Sequence, residues 1–167
     1  MSEPDYIDQG ATFAGEAEEY RLALWRTWSG GGRRALWIML NPSTADARIL
    51  DPTIRRCVGF SRAWGFDGVD VCNLFALRST KPAALYKHPD PVGPENDRVI
   101  LAAARDAGLV VAAWGTHGAH LARAKAVETM LAGVVDLKCL GLNRDGSPRH
   151  PLYVRAATSL VSCGVTV

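Results

Sequence analysis

The absences narrow this sequence first. Its four cysteines, Cys57, Cys72, Cys139 and Cys163, stand far apart and never form C-x-x-C, so the ligand spacing of a zinc knuckle or an iron–sulfur cluster is missing. There is no G-x-G-x-x-G for a dinucleotide, no G-x-x-x-x-G-K-[ST] for a nucleoside triphosphate and no G-x-S-x-G elbow for a serine hydrolase. Neither a metal nor a cofactor is expected. No apolar run approaches membrane-spanning length, and the opening MSEPDYIDQG is acidic and polar, without a signal-peptide core. A cytoplasmic protein with free thiols is the expectation, because Cys72 and Cys139 sit inside apolar runs. Repeats and low-complexity stretches are missing too, and a net charge of +2 is too small to name a partner.

What is present fits one domain over residues 1–167. Apolar residues make up 48% and charged residues 22%, ordinary for a globular chain that buries roughly 70% of its unfolded surface. Arginine dominates the basic side, and Arg33-Arg34, Arg55-Arg56, Arg144 and Arg149 stand beside turns, which permits a local phosphate-contacting face. Residues 1–19, rich in acids, read as a segment wrapping the surface. YRLALWRTW (20–28) has strand composition and runs into a Ser-Gly-Gly-Gly turn. RALWIML (34–40), VDVCNLFAL (69–77), LVVAAWG (109–115) and VVDLKCLGL (134–142) read as buried strands, apolar on both faces.

Between them lie helical patterns. DPTIRRCVGFSRAWGF (51–66) has Asp51 as cap and Pro52 in the first turn. NDRVILAAARDAG (96–108) has Asn96 as cap, AHLARAKAVETMLAG (119–133) ends at glycine, and VRAATSLV suggests a short closing helix. The span 78–96 is proline-rich and expected to be mostly irregular. This alternation predicts a three-layer α/β/α fold around a mainly parallel sheet of four to five strands.

Ligands of such sheets bind beyond the carboxyl ends of the strands, and the residues there are informative. Asn41-Pro42-Ser43-Thr44 follows the first buried strand, and Asn73 with Arg78-Ser79-Thr80 ends the second. Trp114-Gly115-Thr116-His117 ends the third, and the loop from Asn143 to Tyr153, with Arg149-His150-Pro151, follows the fourth. Two amides without a cofactor motif suit a heterocycle's edge, since an amide places donor and acceptor side by side. Blander readings apply nearby. His117 and His120 read as a helix start and a solvated face, His88 as surface, Trp25, Trp28 and Trp37 as core, and Asp51 as a helix cap.

In their order, MLNPS, VDVCNLFA, VVAAWGTHG and RHPLY resemble the motifs of the uracil-DNA glycosylase superfamily. The longer series NPSTADA, DPTIRRC, NLFALR, DPVGP and GSPRHPLY resembles a bacterial and phage domain family of unassigned function over nearly the whole chain. The superfamily resemblance implies a uracil-DNA-glycosylase-like fold and a monofunctional DNA glycosylase, acting on a flipped-out pyrimidine in DNA. It implies that Asn41 aligns the attacking water and that His150 hydrogen-bonds the departing pyrimidine. Asn73 would read the base, and the backbone beyond Pro42 would add an oxyanion-type contact. An amide cannot take a proton, so Asp46 or Asp51 is the candidate base behind Asn41.

Ser43, with Thr44 next, stands where the uracil-specific branch carries a tyrosine that blocks C5. A 5-substituted pyrimidine, such as a modified cytosine of phage DNA, is therefore as reasonable a target as uracil. Antiviral defence or repair is the implied role. Arg144, Ser147, Arg149 and Arg155 are candidates for flanking phosphates, Leu152 or Tyr153 for the wedge, and Trp64 and Trp114 for stacking. No lysine falls in these motifs to form a Schiff base, and a monomer is expected. Two alternatives stay open, an N-glycosidase of free nucleosides or nucleotides and a non-catalytic reader of modified bases.

Overall fold

A computed structural model describes residues 3–43 and 51–163. Among the described residues seven strands form one mixed sheet in the order β1-β2-β4-β3-β5-β6-β7. They are β1 (Asp8–Ala14), β2 (Tyr20–Thr27), β3 (Arg34–Met39), β4 (Gly68–Asn73), β5 (Leu109–Ala112), β6 (Leu137–Cys139) and β7 (Val161–Ser162). The four central strands β4, β3, β5 and β6 are mutually parallel, while β2, β1 and β7 are antiparallel additions at the edges.

The parallel centre has a plain cause in β3. Ala35, Trp37 and Met39 enter one apolar cluster and Leu36 and Ile38 the other, so the strand is buried on both faces. Helix α1 (Pro52–Ala63) covers the first face through Ile54, Cys57, Val58 and Phe60. Helices α3 (Asn96–Asp106) and α4 (Arg123–Leu131) cover the second through Ile100, Ala104, Val127 and Leu131, and a five-residue α2 (Ala83–Lys87) adds Leu85. Asp51 caps α1 as its position suggests, its Oδ1 accepting the Ile54 N–H at 2.8 Å.

The α/β class stands, but the sheet is larger and less parallel than the sequence predicts. The glycine-rich turn after β2 is too short for a parallel crossover, which needs a dozen or more residues. The chain therefore reverses, and β4 inserts between β2 and β3. The N-terminal segment supplies β1 instead of only wrapping the surface. Gly10 there lies so close to the Trp25 ring that a Cβ would stand 2.4 Å from its Cζ2.

Three expected elements differ. VRAATSLV forms no helix; a 3-10 turn at Pro151–Tyr153 is followed by loop and β7. Of the fourth expected strand only Leu137–Cys139 forms a strand, and Leu142 makes a single bridge to Pro148. The helix expected from 119 begins at Arg123, because Leu121 and Ala122 take left-handed backbone conformations. All four cysteines are free and buried, and no helix of the described residues is long and apolar enough to cross a membrane.

Candidate active site at the strand ends

At the carboxyl ends of β3, β4 and β5 opens a cavity of about 540 Å³, which also reaches α1 and the loop before α2. Asn41, Ser43, Asp51, Asn73, His150, Leu152 and Tyr153 all line it. Residues far apart in sequence, and picked out from it, are thus brought to one place. Thr44 and Asp46 lie outside the described residues. Pro42 is buried behind the lining, where its carbonyl accepts the Ser79 N–H at 2.9 Å.

Asn41 and Asn73 sit at neighbouring strand ends, with Asn73 in register with Met39. The Asn41 Nδ2 donates to the carbonyls of Ser79 (3.0 Å), Pro42 (3.2 Å) and Leu77 (3.4 Å). It braces the loop after β4, so Oδ1 is the atom it can offer to a water. Asn73 is 1% exposed, and its Nδ2 has no hydrogen-bond partner among the described residues. Leaving such a donor buried costs about 1–3 kcal/mol. The strand end that carries it is held firmly, because Asn96 Nδ2 donates to the carbonyls of Asn73 (3.0 Å) and Leu74 (3.2 Å). Arg123 Nε donates to the Leu74 carbonyl as well, at 2.7 Å. Asn96 is therefore a buried brace, and Glu95 takes the cap position of α3.

His150 precedes the 3-10 turn and accepts the Leu152 N–H on Nδ1 at 3.2 Å. A backbone N–H can only donate, so the neutral ring carries its proton on Nε2. Burial lowers the imidazole from its ordinary value, and the Asp51 carboxylate draws it part of the way back. Arg56 anchors this turn to α1, donating through Nε to the Pro151 carbonyl at 3.1 Å and through a terminal nitrogen to that of Val154. Its neighbour Arg55 instead meets Glu3 at the surface. The end of β5 is tied to the same loop, since the Gly115 N–H reaches the Pro148 carbonyl. Asp51 itself is engaged on both oxygens, by Ile54 N–H and by Ser43 Oγ at 3.1 Å.

Other expected site residues are placed differently. Ser147 Oγ accepts from Asn143 Nδ2 (3.1 Å), and both its oxygen and its N–H donate to Asp145 Oδ1, so it shapes a turn. Arg149 lines a second hollow of about 220 Å³ that shares Gly115, Thr116, His150 and Tyr153 with the main cavity. Arg144 and Arg155 are exposed and line neither. Leu152 and Tyr153 are exposed at the mouth, 41% and 82% respectively. Trp114 lines the cavity, but Trp64 does not. Trp64 stacks on Trp37 at 5.8 Å and on Phe60 at 5.4 Å within the α1 layer.

The sequence reading passed over Arg21 as a lining residue and took His117 for a helix start. Arg21 is 2% exposed on β2, and its one sequence signal is a charge inside an apolar strand pattern. His117 borders the cavity with its Nδ1 3.2 Å from Tyr86 Oη. Gly118 permits that turn, because a Cβ would stand 2.7 Å from Trp114 Cδ1.

No curated protein and no solved structure matches the chain. Residues 21–152 match the family model described as "Protein of unknown function (DUF1643)". That span starts at Arg21 and ends at Leu152, both cavity residues. Covering most of the chain, the match shows that this protein belongs to the DUF1643 family.

Proposed function

We propose that the protein is a monofunctional DNA glycosylase that hydrolyses the N-glycosidic bond of a pyrimidine flipped into the 540 Å³ cavity. The single observation carrying this reading is the buried Asn73 Nδ2, without a partner among the described residues, on a residue that lines the same cavity as a neutral His150. An unsatisfied amide at a strand end is costly in the empty protein, and a base edge supplies what it lacks.

The chemistry follows from the lining. A water aligned by Asn41 Oδ1 forms a bond to C1′ as the C1′–N1 bond breaks, and the electron pair leaves on the base. The Nε2–H of His150 hydrogen-bonds the base carbonyl where negative charge develops. A neutral donor suits that task, since it loses no proton and needs no acid medium. The water's proton passes to solvent or to the departing base, so base and abasic sugar are the products. Asp51 holds Ser43 and the start of α1, and the carboxylate close to His150 favours the cationic character of the transition state. Ser43, small and hydroxylic, leaves room beside C5, so both uracil and 5-substituted pyrimidines fit this reading. Tyr153 and Leu152 at the mouth suit contact with the strand, and Arg149 in the adjoining hollow suits a phosphate.

The test is direct. Duplexes carrying uracil or 5-substituted pyrimidines are incubated with the protein and treated with alkali. Strand breaks at the modified position are expected, and their complete absence on every substrate would refute the glycosylase. The cavity also has room for a whole nucleoside, which favours the N-glycosidase of free nucleosides as a second reading. That enzyme would release base from nucleosides and bind DNA without the steep salt dependence of phosphate contacts.

A further inference from the structure

Two of the four buried cysteines stand together, and the reaction proposed above uses neither. β6 and β7 pair antiparallel, with Cys139 opposite Val161 and Lys138 opposite Ser162. The Cys163 N–H carries the ladder one step further, donating to the Leu137 carbonyl at 2.9 Å. Side chains two apart on a strand share a face, so Cys139 and Cys163 are diagonal neighbours on the face that enters the cluster under α3 and α4. Their thiols hydrogen-bond each other. The other two are placed apart. Cys72 lies on β4, three places along the sheet from β6, and Cys57 on α1 enters the opposite cluster.

The contact changes the chemistry of both sulfurs, because the thiolate is the nucleophile of cysteine. The Cys163 thiol donates to the Cys139 sulfur and holds Cys139 below the usual thiol range, against the opposing effect of burial. Cys163 holds its own proton harder for the same reason, and burial adds to that. Burial pushes Cys57 and Cys72 up, Cys72 to about 12. One proton therefore leaves the pair more readily than it leaves Cys57 or Cys72. Cys139 is sealed and Cys163 is 8% exposed, but β7 is an edge strand held to β6 by two residue pairs. So short a strand opens locally while the rest of the sheet stays folded.

From this juxtaposition we infer that Cys139 and Cys163 are a redox-modification site, a dithiol that a small hydroperoxide converts into a disulfide joining β6 to β7. The Cys139 thiolate attacks a peroxide oxygen; an S–O bond forms, the O–O bond breaks, and hydroxide leaves and takes up a proton to become water. Cys163 then attacks the Cys139 sulfur. The S–S bond forms as the S–O bond breaks, and the Cys163 proton leaves with that oxygen as a second water. The two thiols give up two electrons and two protons, and one peroxide is reduced to two waters. The chain between the two cysteines carries Arg149, His150, Leu152 and Tyr153 of the cavity and its adjoining hollow. The bond clamps both ends of that segment, whatever reaction the cavity serves.

The test uses the reduced, folded protein and excess hydrogen peroxide. Remaining thiols are then alkylated in denaturant, and a protease digest is read by mass spectrometry. A peptide linking Cys139 to Cys163 is expected, with Cys57 and Cys72 recovered alkylated. The oxidised protein is expected to melt about 5–10 °C above the reduced one, as closing a loop of this length does. Amide exchange over residues 140–160 is expected to slow, and a thiol reductant to reverse both changes. Cys163→Ser should give neither the linked peptide nor the rise in melting temperature; if it does not fold, the wild-type peptide map and melts decide. A missing linked peptide, a link to Cys57 or Cys72, a link formed only in denaturant, or unchanged melting and exchange in the linked protein overturns the inference. None of these readouts involves DNA, so the glycosylase reading stands or falls separately.

Discussion

Asn41 and Asn73 are the same side chain at the ends of adjacent parallel strands, and they are treated in opposite ways. Asn41 spends its NH2 group on three backbone carbonyls and remains half-exposed. Asn73 is sealed from solvent with its Nδ2 unpaired, while its own backbone is pinned by Asn96. The first amide stabilises the site's frame. The second keeps a buried donor without a partner among the described residues beside a backbone that is rigidly held, and the proposed base pocket rests on that donor.

The largest expected effect separates the two by sign. Asn73→Leu, close in shape and apolar, is expected to cut excision about 10²- to 10³-fold, as loss of one preorganised donor does. His150→Ala should cost a similar factor, because it removes the Nε2–H donor, with binding of the flipped base less affected than turnover. Asn41→Ala should act chiefly on stability. The carbonyls of Ser79 and Leu77 lose the Asn41 amide, while that of Pro42 keeps the Ser79 N–H, so denaturant unfolding should show a loss of about 1–3 kcal/mol, with a smaller fall in excision per folded molecule.

Smaller effects come from pH. Burial lowers His150, so its neutral, active form persists below the ordinary histidine range, and excision should stay level through neutral pH and fall only on the acid side. Stability has the same sign. The His150 contribution is intact above about 6.5, the unfolded value, and is lost as pH falls through the lowered folded value. Asp51→Asn tests the electrostatic part. Asparagine caps helices about as well as aspartate, so the unfolding free energy should stay within about 0.5 kcal/mol. Removing the carboxylate that draws the histidine upward should move the acid limb to lower pH.

Much of this contrast was legible in the sequence, and the part that was not has physical causes. The doubly apolar run at 35–39 requires a strand buried on both sides, and Asp51-Pro52 marks the start of α1; both are local signals. Asn73 inside an apolar strand invites a functional explanation by itself. Asn41, Asn73 and His150 meet because parallel strands deliver their ends to one edge, a consequence of topology that alternation alone predicts.

What local pattern cannot carry is decided by contacts distant in sequence. Arg21 looks like a surface charge on a strand until β2 is placed against β4 and the cavity is closed beside it. Asn96 has a cap's chemistry at a cap's position, but the carbonyls of Asn73 and Leu74 claim it. The two-residue pairing of β7 with β6 leaves no periodicity to read. Trp64, picked as a stacking residue, belongs to an aromatic layer with Trp37 and Phe60 that only the packing of α1 reveals.

The most direct measurement is Asn73→Leu, read on one preparation by denaturant unfolding and by alkali-revealed strand breaks in pyrimidine-modified duplexes. The account predicts an unfolding free energy equal to the wild type's or higher by up to about 3 kcal/mol, because an unsatisfied donor is gone, together with loss of the breaks. A variant that is clearly less stable and still cleaves like the wild type would contradict it, making Asn73 a brace like its neighbour.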